Sequence, residues 1–261
     1  MKKAILIAMF AAMTLGVKAG DWGKQPVYEP KEVIEECVDL GASISAGYMT
    51  DYIFYGRRLA RDSVWTDLNY TFDTAIPINV GAWYLNGIGP GPVDELDLYA
   101  SAEVFSAGAL SASLGYVHYF VPESNGATNS YGEIGLDIAI ALGFVDLAAE
   151  TNYALSFGWY HQVGIEKSFA LTDAASLVLG TGIGYSDNYF AQGTGLSDNS
   201  GWNHYYISAS LPIELNCRTV VTPYIGYNGS PDGFVTDGSQ GMSGDDQSDI
   251  LHGGVSISVS F

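Results

Sequence analysis

The chain has 261 residues and a formal charge of −19 at pH 7, from 10 basic and 29 acidic side chains. So acidic a balance argues against nucleic acid and against any other polyanion as a partner. Beyond the first twenty positions no apolar run approaches the about twenty residues of a membrane helix, so a chain that crosses a bilayer must cross it with strands.

Residues 1–19 open on Lys2 and Lys3, continue through an apolar run from Ala4 to Leu15, and end on small residues at Val17 and Ala19. This is the pattern of a secretory leader cleaved after Ala19. No lipoprotein cysteine follows it, because the first cysteine is Cys37. Loss of Lys2, Lys3 and Lys18 with the leader takes the charge from −19 to −22. Residues 20–37 are expected to be a periplasmic N-terminal segment and residues 38–261 a single β-barrel domain.

In chain order, strands are expected over residues 38–56, 62–72, 77–85, 94–105, 109–120, 130–142, 145–156, 158–169, 174–187, 201–214, 217–228 and 249–261. Each is bounded by Gly, Pro, Asn or Asp turn signals. Several alternate strictly: Val64, Leu68, Tyr70 and Phe72 oppose Asp67, Asn69 and Thr71, and Leu177, Leu179, Ile183 and Tyr185 oppose Gly180, Gly182 and Gly184. One face of each strand suits hydrocarbon and the other water.

Connections alternate in length. "GRRLARD", "NGIGPGPVDE", "PESNGATNS", "NYFAQGTGLSDNS" and "GSPDGFVTDGSQGMSGDDQS" are expected at one rim, and "DTAI", "SAG", "GF", "LTD" and "NC" at the other. The connection near Phe157 is short on the long-loop side. Short periplasmic turns with longer external loops are the arrangement of bacterial outer-membrane barrels. The fold class expected is therefore all-β, a transmembrane antiparallel up-and-down barrel of about 12 strands, with both mature termini periplasmic.

The last strand, "HGGVSISVSF", puts Leu251, Val255, Ile257, Val259 and Phe261 on one face. If the barrel closes, this strand pairs with the first and no edge remains. By resemblance to outer-membrane barrels generally, a terminal Phe after alternating apolar residues implies an assembly signal. Phe261 is thus expected to address the chain to the barrel assembly machinery as well as to touch outer-membrane lipid.

Cys37 precedes the first strand and Cys217 sits in the turn before the eleventh, so closure would place both at the periplasmic rim with one strand between their own. Strand spacing of about 4.8 Å leaves a gap of roughly 10 Å, which a flexible segment before Val38 could narrow to disulfide distance. In an oxidising compartment this suits a Cys37–Cys217 disulfide.

The run "SISAGYMTDYIFYGRRLARDSVWTDLNYTFD" followed by "INVGAWYLNG" resembles the start of porins of the TorF type, at Thr50, Asp51, Tyr52, Phe54, Gly56, Gly81 and Trp83. It departs from that pattern at Tyr55, where an arginine is usual, although Arg57 and Arg58 follow. The resemblance covers about a quarter of the chain. It implies a passive outer-membrane porin and names no solute.

With the more apolar parity facing lipid, Asp51, Asp67, Asp97, Glu103, Glu133, Asp137, Asp146, Glu150, Glu166 and Glu214 face the lumen. Arg57 is the clear inward cation. Such an interior is expected to favour small cationic or neutral solutes over anions; the alternative is a solvated wall whose carboxylates are protonated or bridged by divalent ions. Inward aromatics are Tyr55, Trp65, Trp83, Tyr99, Tyr119, Tyr160, Tyr206 and Tyr224, suited either to sugars, nucleosides and organic cations or to closing the passage. Tyr48, Tyr52, Phe54, Tyr70, Phe72, Tyr84, Tyr116, Phe120, Trp159, Phe169 and Tyr205 are expected outside, as interface belts.

Catalysis is not expected. The residues two beyond His118, His161, His204 and His252 are Phe120, Val163, Tyr206 and Gly254, so no histidine–serine dyad of the lipase-barrel kind exists. No His/Cys spacing suits a metal, and no cofactor is called for. Two functions stay open: a passive, cation-preferring porin, and a structural or adhesive barrel with a filled lumen whose acidic loop, residues 229–248, contacts an external partner.

Overall fold

A computed structural model describes residues 40–89, 93–122, 128–155, 158–189, 200–230 and 249–261. The expected leader, the segment 20–37 and Cys37 lie outside the described residues, as does most of the acidic loop before the last strand. The strands are β1 (Ala42–Phe54), β2 (Arg57–Phe72), β3 (Ile78–Gly87), β4 (Asp94–Ala107), β5 (Leu110–Pro122), β6 (Thr128–Ala141) and β7 (Asp146–Ala154). They continue with β8 (Trp159–Thr172), β9 (Ala175–Asp187), β10 (Gly201–Ser210), β11 (Ile213–Asn216), β12 (Thr219–Gly229) and β13 (Asp249–Ser260).

Every pairing is antiparallel, and β13 pairs with both β12 and β1, so the sheet closes. The seam runs from Ser43 opposite Ser260 to Met49 opposite Gly254. Phe261 seals its lower end: its N–H donates to the Ala42 carbonyl and its own carbonyl accepts from Leu40. The aromatic ring stays exposed on the outer face.

Residues 201–214, expected as one strand, form two. β10 and β11 both lie between β9 and β12, and the break falls at Leu211 and Pro212. Pro212 has no N–H, and neither does Pro223 in the facing part of β12, so the ladder cannot run through this point. With β10 and β11 counted as one wall strand, the barrel has 12 strands.

The barrel is apolar outside and polar inside. Leu68, Tyr70, Phe72, Leu98, Ile134, Ile165, Leu179, Ile207 and Ile257 are exposed, whereas Asp67, Asp97 and Glu133 are at most 1% exposed. So continuous an apolar exterior is far beyond what a soluble monomer shows, and it suits hydrocarbon. At one rim the turns are short, with two residues between β4 and β5, β8 and β9, and β11 and β12. The opposite rim carries the longer connections, with two exceptions, the four residues between β7 and β8 near Phe157 and the link between β1 and β2.

The β1–β2 link departs from the expected pattern. "GRRLARD" is not a loop: β2 begins at Arg57, and β1 and β2 are joined by Tyr55 and Gly56 alone. Both have positive φ, 48° and 79°, the geometry of a tight primed hairpin turn.

Candidate functional site

The β1–β2 hairpin outruns its neighbours. β13 last pairs with β1 at Met49, and β3 last pairs with β2 at Ser63. In the ladder, residues 51–61 therefore pair only with each other, through Asp51–Arg61, Tyr52–Ala60, Ile53–Arg58 and Phe54–Arg57, with a register shift after Tyr52. At the rim Asp62 takes φ 47°, and its carbonyl accepts the N–H groups of Ile88 and Gly89 at 2.7 and 3.1 Å. Freed from the wall and bent there, the hairpin folds into the barrel.

Its contacts cross the full lumen. Tyr52 donates its hydroxyl to Glu95 Oε1 on β4 at 2.8 Å and packs against Trp83 of β3, with ring centroids 5.5 Å apart. Phe54 meets Tyr119 of β5 edge-on at 5.7 Å. Tyr55 donates to Glu133 Oε1 on β6 at 2.5 Å, accepts from Asn152 Nδ2 on β7 at 2.9 Å, and stacks on Tyr160 of β8 at 3.7 Å. The Tyr55 carbonyl accepts from Asn203 Nδ2 on β10 at 2.7 Å. Gly56 lies so close to the His204 ring that an added Cβ would overlap it. Tyr189, just beyond β9, completes the cluster by donating to the second Glu133 oxygen and meeting Tyr55 edge-on at 5.1 Å.

Tyr52 and Phe54 are thus not belt residues. They are 0% and 3% exposed within the lumen, because beyond the last wall pairing both faces of the hairpin are covered. Arg57 is not the sole inward cation either: Arg58 is buried there too and pairs through Nε with Asp51 Oδ1 at 2.6 Å. The polar pairing of Asp51 is therefore within its own hairpin.

The remaining inward carboxylates line the wall around and below the hairpin. Asp67 accepts from Tyr99 at 2.8 Å and Asn69 at 3.1 Å. Asp137 and Glu150 stand directly opposite each other on β6 and β7. Both oxygens of Asp97, both of Asp137 and Oε1 of Glu150 meet no hydrogen-bond donor among the described residues. Glu166 is buried on β8, and Glu103 is half-buried at the lower end of β4. Of the expected lumen aromatics, Trp65 covers Gly47, Trp83 packs on the hairpin, Tyr99 holds Asp67, and Tyr206 fills the space over Gly164 and Gly182.

The sequence reading missed Glu95, Asn152, Asn203 and Tyr189. Glu95 and Asn152 lie on the inward parity of predicted strands and were legible as polar lumen groups, whereas Asn203 shares the outward parity of Tyr205 and is turned inward by the irregularity between Trp202 and His204. Tyr189 follows a strand end, where parity is lost. On the outer face Thr151 Oγ1 and His161 Nδ1 lie 2.7 Å apart, a hydroxyl–imidazole pair formed between strands and so invisible to local spacing. The His161 ring also stacks on Trp159 and lies against Tyr185. That is the setting of an interface-belt contact.

No protein-family model matches the chain, and no curated protein is detectably similar to it. Solved structures do resemble it. The COG4313 outer membrane channel from Pseudomonas putida F1 aligns with TM-score 0.55 and 12% identity over 89% of this chain and all of its own. The KdgM porin aligns with TM-score 0.50 and 8% identity over 84% of this chain and 99% of its own. The NanC porin gives TM-score 0.50 and 11% identity over 84% and 100%. At such identities the likeness is one of fold. The chain has the fold of an outer-membrane β-barrel.

Proposed function

We propose that this barrel resides in the bacterial outer membrane and acts as a passive channel for small cationic or neutral solutes, narrowed by the in-folded β1–β2 hairpin. The observation that carries the reading is a lumen wall with Asp67, Asp97, Asp137, Glu150 and Glu166 buried on five different strands. Arg58, which pairs with Asp51, belongs to the hairpin and not to the wall. The channels among the structural neighbours are consistent with this role, and the likeness of residues 43–87 to TorF-type porins points the same way. No catalytic step is assigned.

Planar-bilayer recording of the purified protein tests it. Discrete conductance steps with a cation-side reversal potential are expected, and a silent membrane would overturn the channel reading. A specific observation favours a second reading: the hairpin meets β4, β6, β7, β8 and β10 across the lumen. In that reading the barrel is filled and serves as a structural or adhesive scaffold, with its acidic loop toward an external partner. A silent wild type would support it.

Two further expectations belong to this reading. Protease added to whole cells should cut between residues 232 and 246 and spare the turns at Asp73 and Thr172; cleavage at those turns in sealed cells would invert the orientation. Cys217, in the turn joining β11 and β12, is proposed to bond with Cys37. Alkylation without reductant followed by mass spectrometry should find neither thiol modified, and two alkylated cysteines would refute the bond.

A further inference from the structure

Asp137 and Glu150 are register partners on adjacent antiparallel strands, and both point inward. Opposed residues of this kind hold their Cβ atoms about 5 Å apart, where two carboxylates repel unless something positive lies between them. Their exposures are 6% and 5%, yet Asp137 Oδ1 and Oδ2 and Glu150 Oε1 have no donor among the described residues. A third, uncharged group points to a ligand independently. Asn152, fully buried and two residues along β7, donates its amide to Tyr55 and more weakly to Glu150 Oε2, while its Oδ1 accepts nothing. Buried acceptors left without donors are costly, so this patch of four oxygens calls for a donor that the described residues do not supply.

The surroundings define the donor. Among the described residues, no group of three or more His, Cys, Asp or Glu is arranged to hold a metal ion. Asn152 also donates to the Tyr55 hydroxyl, and Tyr55 stacks on Tyr160 at 3.7 Å, so aromatic side chains adjoin the patch. Several converging oxygen acceptors, two of them on one carboxylate, suit a cation that carries several N–H donors on a planar or compact head.

We propose that the patch formed by Asp137, Glu150 and Asn152 is a binding site for an organic cation with a guanidinium or primary ammonium head. The site rests on the channel reading only in that its ligand reaches it through the lumen. The test is calorimetric titration of the purified full-length barrel in detergent with butylguanidinium and with butyltrimethylammonium, which has the same charge and chain but no N–H. Butylguanidinium should bind at least tenfold more tightly. In the Asp137→Asn/Glu150→Gln double variant, shown to be folded by its heat-modifiable gel mobility, that binding should fall at least tenfold.

Equal affinity for the two cations, unchanged binding in the double variant, or no heat with either would overturn the site. Tighter binding of calcium ion than of butylguanidinium would overturn the identity of its ligand. Because conductance is not read, a barrel that binds but does not conduct would overturn the channel and leave the site. One that conducts without binding would do the reverse.

Discussion

Replacing residues 51–61 by an Asn-Gly turn, which joins Thr50 directly to Asp62, should raise single-channel conductance at least twofold. The replacement removes Tyr52, Phe54 and Tyr55 from the lumen and leaves every pairing of β1 with β13 and of β2 with β3 intact. Asn-Gly is the favoured two-residue connection for such a hairpin, so the shortened turn closes without strain. A point variant should act in the same direction. Gly56→Val places a β-branched residue at φ 79° and its Cβ within the His204 ring. The backbone alone costs about 1–3 kcal/mol, which disfavours this turn by roughly fivefold or more, and the overlap with His204 adds to it in the docked position. If the shortened barrel and Gly56→Val both conduct like the wild type, the hairpin is not the constriction. If the wild type is silent and the shortened barrel conducts, the hairpin is a closed plug and the scaffold reading gains.

Removing charge at Asp67, Glu103, Asp137 and Glu150, by Asn or Gln, should move the reversal potential in a potassium chloride gradient from the cation side toward zero. Two unit charges about 8 Å apart interact by roughly 2 kcal/mol at an effective dielectric near 20, several times thermal energy. The four positions are not equal. Asp67 is already held by Tyr99 and Asn69, and Glu103 is half-buried near the lower rim, whereas Asp137 and Glu150 lack donors on their free oxygens. The β6–β7 pair alone should therefore account for more than half of the shift. Wild-type selectivity should weaken as salt approaches 1 M, where screening shortens to about 3 Å. An anion-selective wild type, or a reversal potential indifferent to all four changes, would remove the basis for cation preference.

Most of the wall was legible in the sequence because period-two alternation reports side-chain direction wherever a strand separates lipid from water. Asp67, Asp97, Asp137, Glu150 and Glu166 follow from that rule, as do Leu68 and Ile165 outside. The rule assumes that every strand residue belongs to the wall. It fails at Tyr52 and Phe54, where the chain is still extended but no longer divides two solvents. The signal that could have revealed this was local: Tyr55-Gly56 can make a two-residue turn, and strand-like residues resume at once at Arg57, leaving no room for an external loop. Where the hairpin would go was not legible, since its partners Glu95, Glu133, Asn152 and Asn203 are scattered over more than a hundred residues of sequence. Pro212 and Pro223 were visible singly, but the interruption between β10 and β11 comes from their falling at the same level of neighbouring strands, with Pro223 opposite Leu211, which only the register supplies.

A closed sheet of this width is easily flattened, because sliding and tilting of strands changes its cross-section with little loss of pairing. The hairpin that springs from the β1–β2 corner and is fastened at β4, β6, β7, β8 and β10 acts as a strut across the diameter. Its stacked rings resist compression, and its hydrogen bonds to Glu95, Glu133, Asn152 and Asn203 resist stretching along several directions at once. The barrel's roundness is thereby set from within, by one segment of the chain's beginning, and lateral pressure from the surrounding lipid bears on a braced ring.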